Sequence, residues 1–207
     1  MTAVWGPMGW MTLHSISVNY PENPNSSEKL ICSRFLELIG GSMTCRFCKE
    51  HYERMLESYK NSHPEFLNSR RDLFLFLVRA HNTVNKRLDK PLIKSVSEAL
   101  ETLKQATAVT SPATYRKNYI YYLIRNWSYD TTGDGLFAKQ KARELEKINV
   151  EYWNLRETDY DIEIEEGDTL EFIQENGTRI SSSGVFSNMM PPTNVGFKGG
   201  KLRLGRR

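Results

Sequence analysis

The chain has 207 residues, 39% of them apolar and 11% aromatic, enough for one medium domain or two small ones with a real core. Three cysteines are too few for a disulfide-stapled secreted scaffold, and the net charge of +3 is mild. The longest apolar run, Leu73–Val78, stops at Arg79, far short of the roughly 18–20 residues that span a bilayer, and the N-terminus lacks the basic-then-apolar layout of a secretory signal, so the expectation is a soluble chain without an export signal or a membrane partner.

Residues 5–19 read as a helix, with Pro7 at an early position where a missing N–H costs nothing. Pro21 and Pro24 break it. Ser26 or Ser27 caps a second helix that reaches Ile39 and ends at Gly40-Gly41. Thr44 is a plausible N-cap for a third, from Cys45 to about Lys60. Asn68 or Ser69 opens a fourth, to about Leu88, where Asp89-Lys90-Pro91 stops it. Ser95 or Ser97 opens a shorter fifth, to about Thr107. Five helices with short links predict an all-α helical bundle over residues 1–107.

Ala108–Ala113 is small and polar and reads as a junction. Residues 114–127 are rich in tyrosine and fit either a helix or a strand, and residues 135–153 read as helical. Thr169–Gln174 and Thr178–Ser182 alternate around Glu175-Asn176-Gly177, a hairpin signal. Residues 108–187 are therefore expected to be a second, α+β domain of unassigned function. Glu157 to Glu175 carries nine acids and no Lys or Arg, whereas Asn188 to Arg207 carries five basic residues and no acid. The basic tail, 188–207, is expected to be a flexible, solvated end, with nucleic-acid contact as the sharper alternative.

The chemistry centres on Cys45-Arg46-Phe47-Cys48. Thiols at i and i+3 share a helix face, and a helix N-terminus stabilises a thiolate, so the spacing suits a reversible dithiol. A zinc site wants four ligands; Cys45, Cys48 and His51 supply three, and no second CxxC or His pair follows. A c-type haem needs a histidine where Lys49 stands. Three of the four histidines sit in motif-like settings: His14, His51 and His81.

In order, these residues resemble the Erv/ALR-type FAD-linked sulfhydryl oxidases, and among them the members encoded by large DNA viruses. The matching positions are Trp5-Gly6-Pro7-x-x-Trp10-x-x-Leu13-His14, Tyr20-Pro21, Cys45-x-x-Cys48-x-x-His51-Tyr52, His81-Asn82-x-Val84-Asn85-x-x-Leu88 and Lys90-Pro91. The resemblance implies a four-helix bundle with a short fifth helix that holds FAD non-covalently, Cys48 beside the flavin C4a and Cys45 as the outer interchange thiol. It implies a cofactor site drawn from Trp5, Gly9, Trp10, His14, His51, Tyr52, Phe76, His81, Asn82, Val84, Asn85, Leu88 and Lys90. It implies disulfide formation in a protein dithiol or a thioredoxin-like redox partner, with O2 reduced to hydrogen peroxide, and a homodimer built on the first two helices. The compartment would be host cytoplasm or virion for a viral chain, or the mitochondrial intermembrane space for a cellular one.

Three departures stand out. Phe76 occupies the place of a family tryptophan. No cysteine follows Cys48, and no Trp lies between Trp10 and Trp127, so a structural disulfide and an adenine-packing indole are missing. No shuttle pair is present, which leaves Cys45 as the port for incoming electrons. Cys32, between Leu30-Ile31 and Phe35, reads either as a buried small hydrophobe or as an intersubunit or regulatory thiol. The alternatives to an oxidase are a zinc-stabilised binding module and a catalytically degenerate interaction or virion structural module.

Overall fold

A computed structural model of the chain describes residues 2–165 and 167–174. The described residues form seven α-helices: α1 (Thr2–Ser17), α2 (Ser26–Ser42), α3 (Arg46–Ser62), α4 (Arg70–Arg87), α5 (Val96–Val109), α6 (Pro112–Trp127) and α7 (Gly133–Glu151). A single 3-10 turn, Trp153–Leu155, follows α7. The basic tail and the second arm of the expected hairpin, Thr178–Ser182, lie outside the described residues.

Side-chain caps set most helix starts. Asn25 caps α2 in a reciprocal box with Glu28. Ser69, Ser95, Ser111 and Thr132 accept from the amide three residues on, opening α4, α5, α6 and α7. Three sequence expectations are corrected here. Pro7 falls in the second turn of α1, not the first. Gly40 and Gly41 lie inside α2, where they serve close packing: a Cβ at Gly40 would meet the Tyr52 ring at 2.8 Å, and one at Gly41 the Lys141 side chain at 2.7 Å. The cap of α3 is Cys45, not Thr44.

The main core gathers Ile16, Phe35, Leu36, Ile39, Met55, Tyr59, Phe76 and Leu77 from α1 to α4, together with Tyr119, Leu123, Leu145 and Trp153 from the later segments. A second cluster joins Val18, Phe74 and Val78 to Leu100 and Leu103 of α5 and to Ile162. The tyrosine-rich stretch is thus a helix. α6 docks on α1, and α7 docks on α2 and α6. Residues 2–174 belong to one compact unit.

Arg116 of α6 holds this docking together. It is 1% exposed and donates to Asn149 (2.7 Å), Asn19 (2.6 Å) and the Trp153 carbonyl (3.2 Å). Those acceptors are neutral, and burial pulls its pKa down to about 10. At the surface, Arg34 of α2 grips Glu144 of α7 through two bonds of 2.7 and 2.8 Å.

The expected α+β character of the C-terminal half is not found: the described residues contain no strand, and Thr169–Gln174 runs irregularly. The acidic run is a strap laid along α4. Asp159 and the Asp161 carbonyl accept from the buried Arg70 at 2.6 and 3.1 Å. Asp168 pairs with Arg71, the Thr169 carbonyl accepts from Arg79 (3.0 Å), and Lys86 sits 3.9 Å from the Phe172 ring centroid. In the described arm of the expected hairpin, Thr169–Gln174, Leu170 and Ile173 pack against the two helical clusters.

Candidate functional site

A cavity of about 490 Å3 opens between α1, α3, α4, α5 and α6, within the range of cofactor pockets. The residues read from sequence converge on it from three separate helices and one loop. Trp5, Gly9, Trp10 and His14 come from α1, Cys48, His51 and Tyr52 from α3, Val84, Asn85 and His81 from α4, and Leu88 and Lys90 from the loop after it. The helical period explains the pattern: Trp10 and His14 are one turn apart, as are Cys48 and Tyr52, and His81 and Asn85.

The polar wall is built from neutral imidazoles. Trp10 stacks on His81, with centroids 4.1 Å apart and planes inclined by 9°. His14 Nε2 and His81 Nδ1 are 3.0 Å apart, one donating to the other. Burial, aided by the neighbouring imidazole, drops the His14 pKa to about 3, and burial with the nearby Lys90 ammonium drops that of His81 to about 4. Both rings are uncharged at neutral pH.

Cys45 and Cys48 are joined in a disulfide, with Cα atoms 5.2 Å apart. Cys45, half-buried, stands just outside α3 as its cap, and its Sγ accepts from the Cys48 amide at 3.2 Å. Cys48, one turn inside, lines the cavity; Cys45 does not. Phe47, between them, is 66% exposed.

Of the expected residues, Asn82 and Phe76 stand off the cavity. Asn82 donates to the Ile93 carbonyl (2.9 Å) and accepts from its amide (2.8 Å), so it fixes the loop that carries Lys90, Pro91 and Ile93. Asn85 braces the same loop through the Pro91 carbonyl, at 3.1 Å. Phe76 does not form an aromatic wall of the pocket; it packs against Tyr59 and Phe66, with centroids at 4.8 and 5.2 Å. Several lining residues were missed by motif reading. Ala99, Thr102 and Leu103 show only the ordinary apolar period of α5, Arg87 occupies a variable position of its motif, and Tyr119 belongs to α6.

Cys32 is free, fully buried in the core, and its thiol is pushed far up by burial. Among the described residues no group of three or more His, Cys, Asp or Glu side chains could hold a metal ion, and no helix is long and apolar enough to cross a membrane.

Comparison with known proteins places the first half of the chain in a family. The model of the Erv1 / Alr family matches residues 7–105. A FAD-linked sulfhydryl oxidase of African swine fever virus is 33% identical over 89 residues, covering 43% of this chain and 71% of the viral protein. The chain belongs to the Erv1/Alr family. A relative from Invertebrate iridescent virus 3 is 32% identical over 88 residues, and the mitochondrial FAD-linked sulfhydryl oxidase of Saccharomyces cerevisiae 31% identical over 86. Each alignment covers 42% of this chain, and they span 58% and 43% of those relatives' lengths. No solved structure matches the chain. The matched residues end within α5, so α6, α7 and the strap lie outside the family region.

The cavity fits FAD. Its wall is mostly apolar and aromatic, Arg87 and Lys90 bring positive charge to one side, and two buried hydroxyls on it, those of Tyr52 and Tyr119, have no partner within the protein.

Proposed function

We propose that the chain is an FAD-dependent thiol oxidase that forms disulfides in a protein dithiol or a thioredoxin-like redox partner. The observation that carries this reading is the split of one disulfide between two surroundings: Cys48 faces the cavity, while Cys45 caps the helix away from it.

A substrate thiolate attacks Cys45 Sγ. The Cys45–Cys48 bond breaks, a substrate–Cys45 bond forms, and Cys48 leaves as a thiolate facing the cavity. The second substrate thiolate then attacks the substrate sulfur of that mixed disulfide, closing the substrate disulfide and releasing Cys45. The Cys48 amide stabilises negative charge on Cys45 Sγ, and the α3 N-terminus does so for both sulfurs. Trp5, Trp10, Tyr52 and the neutral His14–His81 pair hold the cofactor and exclude water, Asn82 and Asn85 fix the loop beside it, and Arg87 and Lys90 balance its phosphates. FAD, when bound, accepts the electron pair from the two thiols and delivers it to O2 as hydrogen peroxide.

The test is direct. The purified full chain should be yellow and should consume O2 with dithiothreitol. Cys48→Ser should keep its flavin and lose that consumption. A colourless protein that binds no added FAD overturns the reading. The homodimer remains part of this proposal, and it must use surface other than the faces of α1 and α2 that α6 and α7 cover.

A further inference from the structure

We propose that Tyr119, on a helix outside the family-matched region, donates its phenolic hydrogen bond to the isoalloxazine of bound FAD. The inference rests on the flavoenzyme reading above and adds a cofactor contact that comes from the extension.

Tyr119 is 0% exposed and lines the cavity, yet its hydroxyl has no hydrogen-bond partner. A buried hydroxyl left unpaired costs of the order of 1–3 kcal/mol; the Tyr152 hydroxyl is also unpaired, but of the unpaired buried hydroxyls among the described residues those of Tyr119 and Tyr52 belong to residues that line the cavity. Its ring lies against α1 at Gly9, where an added Cβ would stand 3.3 Å from both Cζ and Oη. Gly9 therefore leaves the room in which Tyr119 reaches the site. The neighbouring Tyr52 hydroxyl is likewise buried and unpartnered.

Tyr52 decides which part of the cofactor is meant. It sits one turn along α3 from Cys48, and Cys48 must adjoin the redox-active ring for electrons to pass. Tyr119 is close enough to Tyr52 to raise its pKa, and burial holds both phenols far above their ordinary range. Both therefore remain donors at neutral pH, and the isoalloxazine carries carbonyl and ring-nitrogen acceptors. The placement of Tyr119 is firm. α6 is pinned on either side by Arg116 and by the Trp127 indole, which donates to the Ser42 carbonyl at 2.8 Å, and the Tyr115 carbonyl accepts from Thr12 at 3.2 Å.

Tyr119→Phe in the full chain tests the proposal, because a ligand-serving hydroxyl and a fold-serving one predict opposite signs. The substitution deletes an unpaired group, so the melting temperature of the apoprotein should hold or rise. FAD affinity, titrated by fluorescence, should weaken about five- to tenfold, the scale of one hydrogen bond. The FAD-induced rise in melting temperature should shrink with it, and the visible flavin band should shift. FAD affinity within twofold of the parent and an unmoved band would overturn the assignment, as would a less stable apoprotein, which would show that the hydroxyl serves the fold. Failure of the parent chain itself to bind FAD would instead sink the flavoenzyme reading.

Discussion

The two parts of the molecule use their polar side chains for opposite purposes. In α1 to α5 the motif residues converge on an internal cavity, and some of their polar atoms are left for a ligand. From α6 to residue 174 the polar side chains are mostly consumed in docking: Arg116 on Asn19 and Asn149, Glu144 on Arg34, Asp159 on Arg70. Among the described residues, Tyr119, Tyr152 and Trp153 of the second part keep buried polar atoms without a partner, and of these three Tyr119 lines the cavity. A site can therefore be built from a recognisable family region and still depend on an extension with no motif of its own.

Acid should have the largest effect, and it should fall on the cavity side. His14 and His81 hold pKa values of about 3 and 4 in the folded chain, against about 6.5 unfolded. Below pH 6.5 the unfolded chain takes up protons that the folded chain refuses, so stability is intact above that value and falls as pH drops toward 4. Denaturant unfolding should show a loss of about 2–3 kcal/mol per imidazole between pH 7 and pH 4.5. His81→Gln should flatten part of that slope; an unchanged slope would show that the buried pair is not its source.

A change of similar or slightly smaller size should come from the docking side. Arg116→Ala leaves Asn19, Asn149 and the Trp153 carbonyl without their donor, and unfolding free energy should drop by about 2–4 kcal/mol. Because α6 carries Tyr119, FAD affinity should fall as well. A variant as unstable as predicted but with unaltered FAD affinity would uncouple the two parts.

The smallest effect belongs to the strap. Lys86→Ala or Phe172→Ala removes one surface cation–π contact, with an expected cost of under about 1 kcal/mol. Arg71→Ala should cost more, about 1–3 kcal/mol, because the Asp168 side chain it pairs with is only 6% exposed, and high salt should relieve only part of that loss. Proteolysis of the strap in 1 M salt is the sensitive measurement, and resistance equal to that in low salt would mean that apolar contacts at Ile162 and Ile173 hold it instead.

Much of the site was legible because its residues obey local rules. Trp10 with His14, Cys48 with Tyr52, and His81 with Asn85 repeat at one helical turn, so a linear motif already states which side chains share a face. Fold class in the first half was equally legible, since Ser69 and Ser95 cap helices with an apolar period. Phe76 misled because an aromatic in the right register can still turn to the core side of α4. Gly40-Gly41 misled because a glycine pair that usually stops a helix here admits the ring of Tyr52 and the stem of Lys141. The described arm of the expected hairpin, Thr169–Gln174, is no strand because its apolar Leu170 and Ile173 pack on the helical clusters, a contact that alternation along the chain does not specify.

By itself the sequence determined the helical bundle, the redox pair and the family, because caps, turns and the i, i+3 and i, i+4 relations are local properties of a chain. Only tertiary structure decided that Cys48 rather than Cys45 meets the cavity, that Asn82 holds a loop rather than lining the site, and that α6 brings Tyr119 to it. Those facts depend on contacts between residues up to about a hundred positions apart, such as Arg116 with Asn19 and Thr12 with Tyr115, and the spacing of residues along the chain carries no record of such contacts.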